Sequence, residues 1–179
     1  MSDLLSDRLA AAYSARSELL PQLHAEGTNA YRLFHGSVEG RSGLTVDRYG
    51  DLLLVHAAAG GVGQILCRWA KALGAEVVGT AGSAAKCEIA RAAGADHAID
   101  YSKPGWPEAM LKATGSRKAR VVYDSVGKDT FLHSLDCAAP FGLVVLYGAA
   151  SGPAPAIEPE LLNKKGCLFL TRPSVFPHN

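Results

Sequence analysis

One pattern governs the chain after Leu52: short, continuous apolar runs separated by stretches of helical periodicity. The runs are LLLVHA (52–57), EVVGT (76–80), HAID (97–100), RVVYD (120–124), GLVVLYG (142–148) and CLFLT (167–171). The helical stretches between them are 61–73, 83–93, 107–113, 130–138 and 159–165. A strand with one wet face alternates apolar and polar residues. These runs do not alternate, so both of their faces should be covered. Such strands separated by helices predict an α/β protein with a parallel sheet and helices on either side. Gly74, Gly94, Gly115 and Gly166 stand where helices should stop, because glycine closes a helix in the left-handed conformation at no steric cost. Six strands fill a complete doubly wound sheet of order 3-2-1-4-5-6, the Rossmann arrangement.

The turn after the first run reads Ala58-Ala59-Gly60-Gly61-Val62-Gly63, a G-x-G-x-x-G pattern with alanine in its first place. Gly60 would let the backbone approach a pyrophosphate, and Gly63 would let the helix pack tightly on the strand. The helix N-terminus then offers free N–H groups and a partial positive charge to the phosphates. Two glycines alone would be ordinary turn residues; placed between a strand and a helix at the head of this alternation, they predict a dinucleotide site. The second strand decides which dinucleotide. An NAD-preferring site carries Asp or Glu about 20 residues beyond the fingerprint, on the ribose hydroxyls. Here the place reads Gly79-Thr80-Ala81, followed by Gly82-Ser83-Ala84-Ala85-Lys86. A hydroxyl and a cation without a carboxylate suit a 2′-phosphate. Ser83 would serve equally as a helix N-cap and Lys86 as a solvated helix lysine, so the pattern favours NADP(H) without closing the choice.

Residues 1–50 form a separate segment in a different style. Leu4, Leu5, Leu9, Tyr13, Leu19, Leu20 and Leu23 fit an amphipathic helix that Pro21 should end or kink. YRLFHG, the glycine-rich VEGRSG and LTVDRYGD then predict two strands joined as a hairpin. A net charge of +1 gives no electrostatic reason to expect nucleic acid or an anionic membrane. No apolar stretch approaches the roughly 20 residues that cross a bilayer, and the N-terminus lacks a signal-peptide core, so the expected address is the cytoplasm. Cys67, Cys87, Cys137 and Cys167 lie far apart, and the six histidines show no paired-ligand spacing. These patterns predict reduced thiols and no metal site. No residue is singled out as a catalytic acid, base or nucleophile. Asp124 is expected to end the fourth strand as an exposed carboxylate, Trp69 to sit in the core, and Arg172 to lie at the surface or against nearby backbone.

HAAAGGVGQILCRWAKALGAEVVGTAGSAAKCEIARAAGADHAIDY, VVYDSVGKDTFLHSLDCAAPFG and FLTRPS together resemble the NADPH-dependent quinone oxidoreductases. These are the zinc-free, zeta-crystallin-like branch of the medium-chain dehydrogenases, and the resemblance covers roughly residues 50–176. It implies that Gly60, Gly61, Val62 and Gly63 face the pyrophosphate, and that Ser83, Lys86 and Tyr101 surround the 2′-phosphate. Ser125, Tyr147 and Gly148 would line the nicotinamide half, and the cofactor would be NADP(H) without zinc. Ala149 departs from the family, which often has Asn there. The resemblance also implies hydride transfer to a quinone or similar electrophilic carbonyl, and a homodimer joined through strand 167–171. Enzymes of this family begin with a catalytic domain that supplies most of the substrate pocket, and no counterpart precedes Leu52.

AYRLFHGSVEGRSGLTVDRYGDLLLV instead resembles the segment preceding the catalytic domain of large-subunit ribosomal RNA cytosine methyltransferases, whose pattern is close to DGLPGLxVDRYGD. The chain therefore reads as a fusion joined near Gly50-Asp51: residues 1–50 an appendage, 51–179 a dinucleotide-binding domain. The join sets up a conflict, because 44–47 and 52–57 look like a hairpin while 52–57 is also the central strand of the sheet. The larger sheet is expected to win, since it buries more apolar surface. A cofactor-binding module with little turnover is the expectation. An active oxidoreductase completed by residues 1–50 or a second subunit is the alternative, and an RNA-associated protein ranks last.

Overall fold

The computed structural model describes residues 11–12, 14–25, 30–35, 45–49 and 51–173. The chain divides into two compact units, Met1–Gly50 and Asp51–Asn179.

In the first unit, helix α1 (Leu19–Ala25) follows a helical turn that breaks over residues 15–18. Pro21 is the third residue of α1. It therefore opens a helix rather than ending one, because first-turn N–H groups have no partner inside a helix and a proline loses nothing there. Strands β1 (Ala30–His35) and β2 (Thr45–Tyr49) pair antiparallel in a sheet of their own, with a bulge between Arg32 and Phe34. Leu4, Leu5, Leu9 and Tyr13, and the VEGRSG turn, lie outside the described residues.

The second unit alternates strand and helix throughout: β3 (Leu52–Val55), α2 (Gly61–Ala72), β4 (Glu76–Ala81), α3 (Ala84–Ala92), β5 (His97–Asp100) and α4 (Trp106–Ala113). It continues with β6 (Ala119–Asp124), α5 (Phe131–Cys137), β7 (Ala138–Leu146), α6 (Pro159–Lys164) and β8 (Phe169–Thr171). The strands form one parallel sheet of order β5-β4-β3-β6-β7-β8, the doubly wound order expected from the alternation. β3 is bonded to β4 on one side and β6 on the other, which leaves no ladder for β2. The larger sheet thus takes residues 52–55, as burial argues it should.

The central strands carry few polar residues because each face packs a separate core. Leu52, Leu54, Val78, Val122 and Val144 face Trp106, Met110, Phe131 and Leu135 on one side. Val55 and Val77 face Cys67, Ala70, Ala90, Ala93 and Ala95 on the other. That second core is mostly alanine, so α2 and α3 lie close against the sheet. Gly79 continues the same logic: a Cβ there would stand 2.9 Å from the Ala58 Cβ and 3.1 Å from the Ala95 Cβ.

Two further sequence expectations need correction. Trp69 is exposed (60%) on α2, in a stripe with Val62, Ile65 and Leu73, because the face of α2 that meets the sheet is formed by Gly63, Cys67 and Ala70 instead. Asp124 is fully buried, because donors from four residues converge on it, as described below. Among the described residues, no helix is long and apolar enough to cross a membrane.

Candidate functional site

The turn from β3 into α2 is built on close approach. Ala57 adopts a left-handed conformation (φ 50°), and Gly60 donates its N–H back to the Ala57 carbonyl at 2.8 Å. A Cβ on Gly63 would lie 2.7 Å from the Ala58 Cα, nearer than any real side chain tolerates. Only glycine therefore lets α2 start directly over the end of β3. Gly60 caps α2 with extended backbone and no side-chain cap, so the first N–H groups of this helix remain directed outward, beside exposed Gly61 and Val62. That is the geometry of an anion-accepting helix end.

β4 runs into Gly82, against which Tyr101 packs, and into Ser83 and Lys86 at the start of α3. Tyr101 donates its N–H to the Ala81 carbonyl at 2.9 Å. Its hydroxyl would lie 3.2 Å from a Cβ on Gly82. The Ser83 hydroxyl accepts the Lys86 N–H at 3.3 Å, capping α3. Lys86 is exposed and has no carboxylate partner among the described residues. β4 itself ends without a carboxylate. Thr80 and Gly79 are placed differently: both face the interior, so what they offer a ligand is backbone.

The third group sits at the ends of β6 and β7. Tyr147 and Gly148 donate their N–H groups to the Asp124 carbonyl at 2.9 and 3.3 Å. A Cβ on Gly148 would stand 2.8 Å from the Ser125 Cα, so Ser125 and Gly148 meet backbone on backbone. Burial raises the Tyr147 phenol above its ordinary range, although a hydrogen bond with Ser125 works the other way. Beside them opens a cleft of about 330 Å³, lined by Phe131, Leu146, Gly148, Ala149, Leu170 and Arg172 among others.

Beneath these groups lies a polar cluster that the sequence did not reveal. His56, Thr80, Asp124, Thr130 and Ser134 are all fully buried. Asp124 Oδ1 accepts the N–H groups of Val126 and Gly127 at 2.9 and 3.0 Å. The Thr130 hydroxyl donates to the carboxylate at 2.9 Å and the Ser134 hydroxyl at 2.7 Å. Ser134 Oγ also lies 3.0 Å from His56 Nε2, and Thr80 Oγ1 lies 2.7 Å from His56 Nδ1. Ser134 has one proton and gives it to the carboxylate, so His56 Nε2–H donates to Ser134 and the Thr80 hydroxyl donates to Nδ1. His56 is therefore neutral. Burial holds its pKa down, at about 4, against the pull of Asp124 and with a small push from His133. Ser, His and Asp in contact suggest hydrolysis, but here serine is the middle member and the cluster is closed to solvent, so it offers no nucleophile. The partial signal in the sequence was HSLD within α5 and the polar His56 inside an apolar run.

Among the described residues no group of three or more His, Cys, Asp or Glu could hold a metal ion.

Residues 61–175 match the family described as zinc-binding dehydrogenase. The chain belongs to that family. It is 50% identical over 128 residues to a quinone oxidoreductase of Pseudomonas aeruginosa, covering 72% of this chain and 39% of that protein. A 2-haloacrylate reductase of a Burkholderia species is 48% identical over 128 residues, or 71% of this chain and 38% of that one. Among solved structures, an Escherichia coli quinone oxidoreductase complexed with NADPH superposes with a TM-score of 0.67 at 49% identity, covering 71% of this chain and 39% of that one. The chain thus spans about two fifths of the length of these relatives. The family's name implies zinc, but the described residues supply no donor set for it.

Proposed function

We propose that residues 51–179 form an NADP(H)-binding domain of quinone-oxidoreductase type. The observation that carries this reading is the end of β4, which closes without a carboxylate of its own and runs into Ser83 and an exposed Lys86 that makes no ion pair among the described residues. That chemistry suits a 2′-phosphate, and the strand lacks the terminal carboxylate that would hold a free ribose 2′-hydroxyl. The uncapped N-terminus of α2 at Gly60–Gly63 would take the pyrophosphate, and Ser125, Tyr147 and Gly148 the nicotinamide half. Bound there, NADPH supplies a hydride. The residues of this chain bind and orient it, and none is assigned a proton-transfer role.

A binding module with little turnover is the reading we favour, because the groups gathered at the strand ends of this domain are backbone N–H donors, hydroxyls and a lysine, with no exposed acid, base or nucleophile placed among them. The substrate is left open by the relatives themselves, since a quinone oxidoreductase and a 2-haloacrylate reductase are almost equally similar to this domain. A quinone or another electrophilic acceptor fits both names. The alternative, an active reductase completed by residues 1–50 or a second subunit, requires NADPH oxidation that depends on added quinone and exceeds the protein-free blank. A homodimer through β8, a cytoplasmic location and a fusion joined near Gly50-Asp51 belong to the same reading. They are supported by an exposed edge strand, by four free cysteines and by the division into units between Gly50 and Asp51.

Calorimetric titration tests the binding site directly. NADPH should saturate one site, while NADH, or NADPH with Lys86→Ala, should bind at least roughly tenfold more weakly, about 1.4 kcal/mol. Absence of binding by either dinucleotide would refute the reading.

A further inference from the structure

We propose that the buried chain Asp124–Ser134–His56–Thr80 is a positioning network that couples the two ends of the dinucleotide cleft; it rests on the NADP(H) reading above. Each member lies next to a candidate site group. Thr80 is the penultimate residue of β4, next to Ala81, whose carbonyl holds the Tyr101 N–H. His56 precedes the Ala57–Gly63 turn. Its N–H donates to the Tyr123 carbonyl, while the Ala58 N–H donates to the Thr80 carbonyl, both at 2.9 Å. The Asp124 carbonyl holds Tyr147 and Gly148, and its carboxylate fixes the Val126–Gly127 turn that follows Ser125. Three strand ends and the first turns of α5 therefore share one set of side-chain bonds, with His56 at the crossing.

Apolar residues of similar volume would fill this space at least as stably, since buried charges and hydroxyls gain little net free energy from pairing. What a satisfied buried network adds is geometry: each hydroxyl has a single proton and direction, so the strand ends cannot slide or twist independently. The groups facing His56 from its neighbours are Asp124 of β6, Thr80 of β4, and Ser134 and His133 of α5. Trp106 of α4 meets its ring edge-on at 5.2 Å. None of these residues needs to touch the cofactor; they act through Ala81, Ser125, Tyr147 and Gly148.

The test uses the whole chain and three ligands: NADP⁺, its adenosine half 2′,5′-ADP, and nicotinamide mononucleotide. Ser134→Ala lies at the nicotinamide end, yet it should weaken 2′,5′-ADP by roughly threefold or more, because the constraint reaches Thr80 through His56. Thr80→Val should weaken nicotinamide mononucleotide in the same way, and Thr80→Ser, which keeps the hydroxyl, should recover most of the loss. The double variant should bind NADP⁺ at least roughly threefold better than the product of the single effects. Nitrogen-15 spectra of histidine-labelled protein, recorded without cofactor, should show His56 neutral and protonated at Nε2 from about pH 8 to about pH 5. Additive single effects, effects confined to the mutated end, or an Nδ1-protonated His56 would each overturn the network. If Ser134→Ala does not fold, the Thr80 pair and the spectra still decide. Wild-type protein that binds no dinucleotide would sink the NADP(H) reading itself, whereas binding with additive variants sinks only the coupling.

Discussion

Gly63 is where residue chemistry most narrowly limits this site. Its missing Cβ is occupied space, with the Ala58 Cα 2.7 Å from where the carbon would stand. Gly63→Ala must therefore move α2 off β3, at a cost of about 1–3 kcal/mol for overpacking a backbone contact. NADPH affinity should fall with it, because the same shift carries the helix N-terminus away from the phosphates. Chemical denaturation and calorimetry check both; a variant of unchanged stability would mean the turn has slack that the structure does not show. Gly63 was legible in the sequence because a glycine required by close approach has a recognisable place in a pattern. Asp124 was not. Its burial depends on Val126, Gly127, Thr130 and Ser134 supplying four donors at once, and no spacing rule announces such convergence. His56 carries a pH consequence of its own. Its folded pKa of about 4 lies below the ordinary 6.5, so between those values the unfolded chain takes up a proton that the folded chain refuses. Stability is thus full above about pH 6.5 and declines toward pH 4, by on the order of 3 kcal/mol. His56→Gln should be less stable at pH 8 but lose less between pH 6.5 and 5. Parallel profiles for the two proteins would show that His56 does not set that slope.

At the scale of elements, α3 shows why a sequence motif could support two interpretations. Ser83 caps the helix through the Lys86 N–H while also standing at the proposed 2′-phosphate, and both roles need the same hydroxyl at the same turn. Ser83→Asp separates them. Aspartate caps as well as serine, so stability should change by less than about 0.5 kcal/mol. The added carboxylate would repel the 2′-phosphate and accept ribose hydroxyls, so NADPH should weaken roughly tenfold and NADH tighten. Equal loss of both dinucleotides would show that residue 83 only shapes the loop. The elements themselves were readable for local reasons. Gly74, Gly94, Gly115 and Gly166 all adopt positive φ, which is what a helix stop demands, and the inner strands show continuous apolar residues because each face meets its own core. Less legible were the start of β7, which begins at Ala138 rather than near 142, and the place of Pro21 in α1. A proline excludes a helix interior but is equally at home in a first turn, so its presence alone does not say which side of it the helix lies on.

For the molecule as a whole, every candidate site residue lies within Asp51–Asn179, and that unit exposes one clear liability. Among the described residues β8 is bonded to β7 on one side only, and all three of its residues are exposed, Phe169 at 61%. A bare apolar edge offers a row of unpaired N–H and carbonyl groups to a second chain. A two-fold axis beside it would pair β8 antiparallel with its own copy and continue the sheet from six strands to twelve. The same axis brings equivalent side chains near one another across the new ladder, and like charges so placed repel. Phe169→Lys should therefore convert a dimer into a monomer while changing the stability of each subunit by no more than about 0.5 kcal/mol, as expected of an exposed site. Light scattering on wild-type and variant protein at matched concentrations measures this. A wild-type chain that stays monomeric would mean that the edge is tolerated bare, and a variant that stays dimeric would place the interface on some other face.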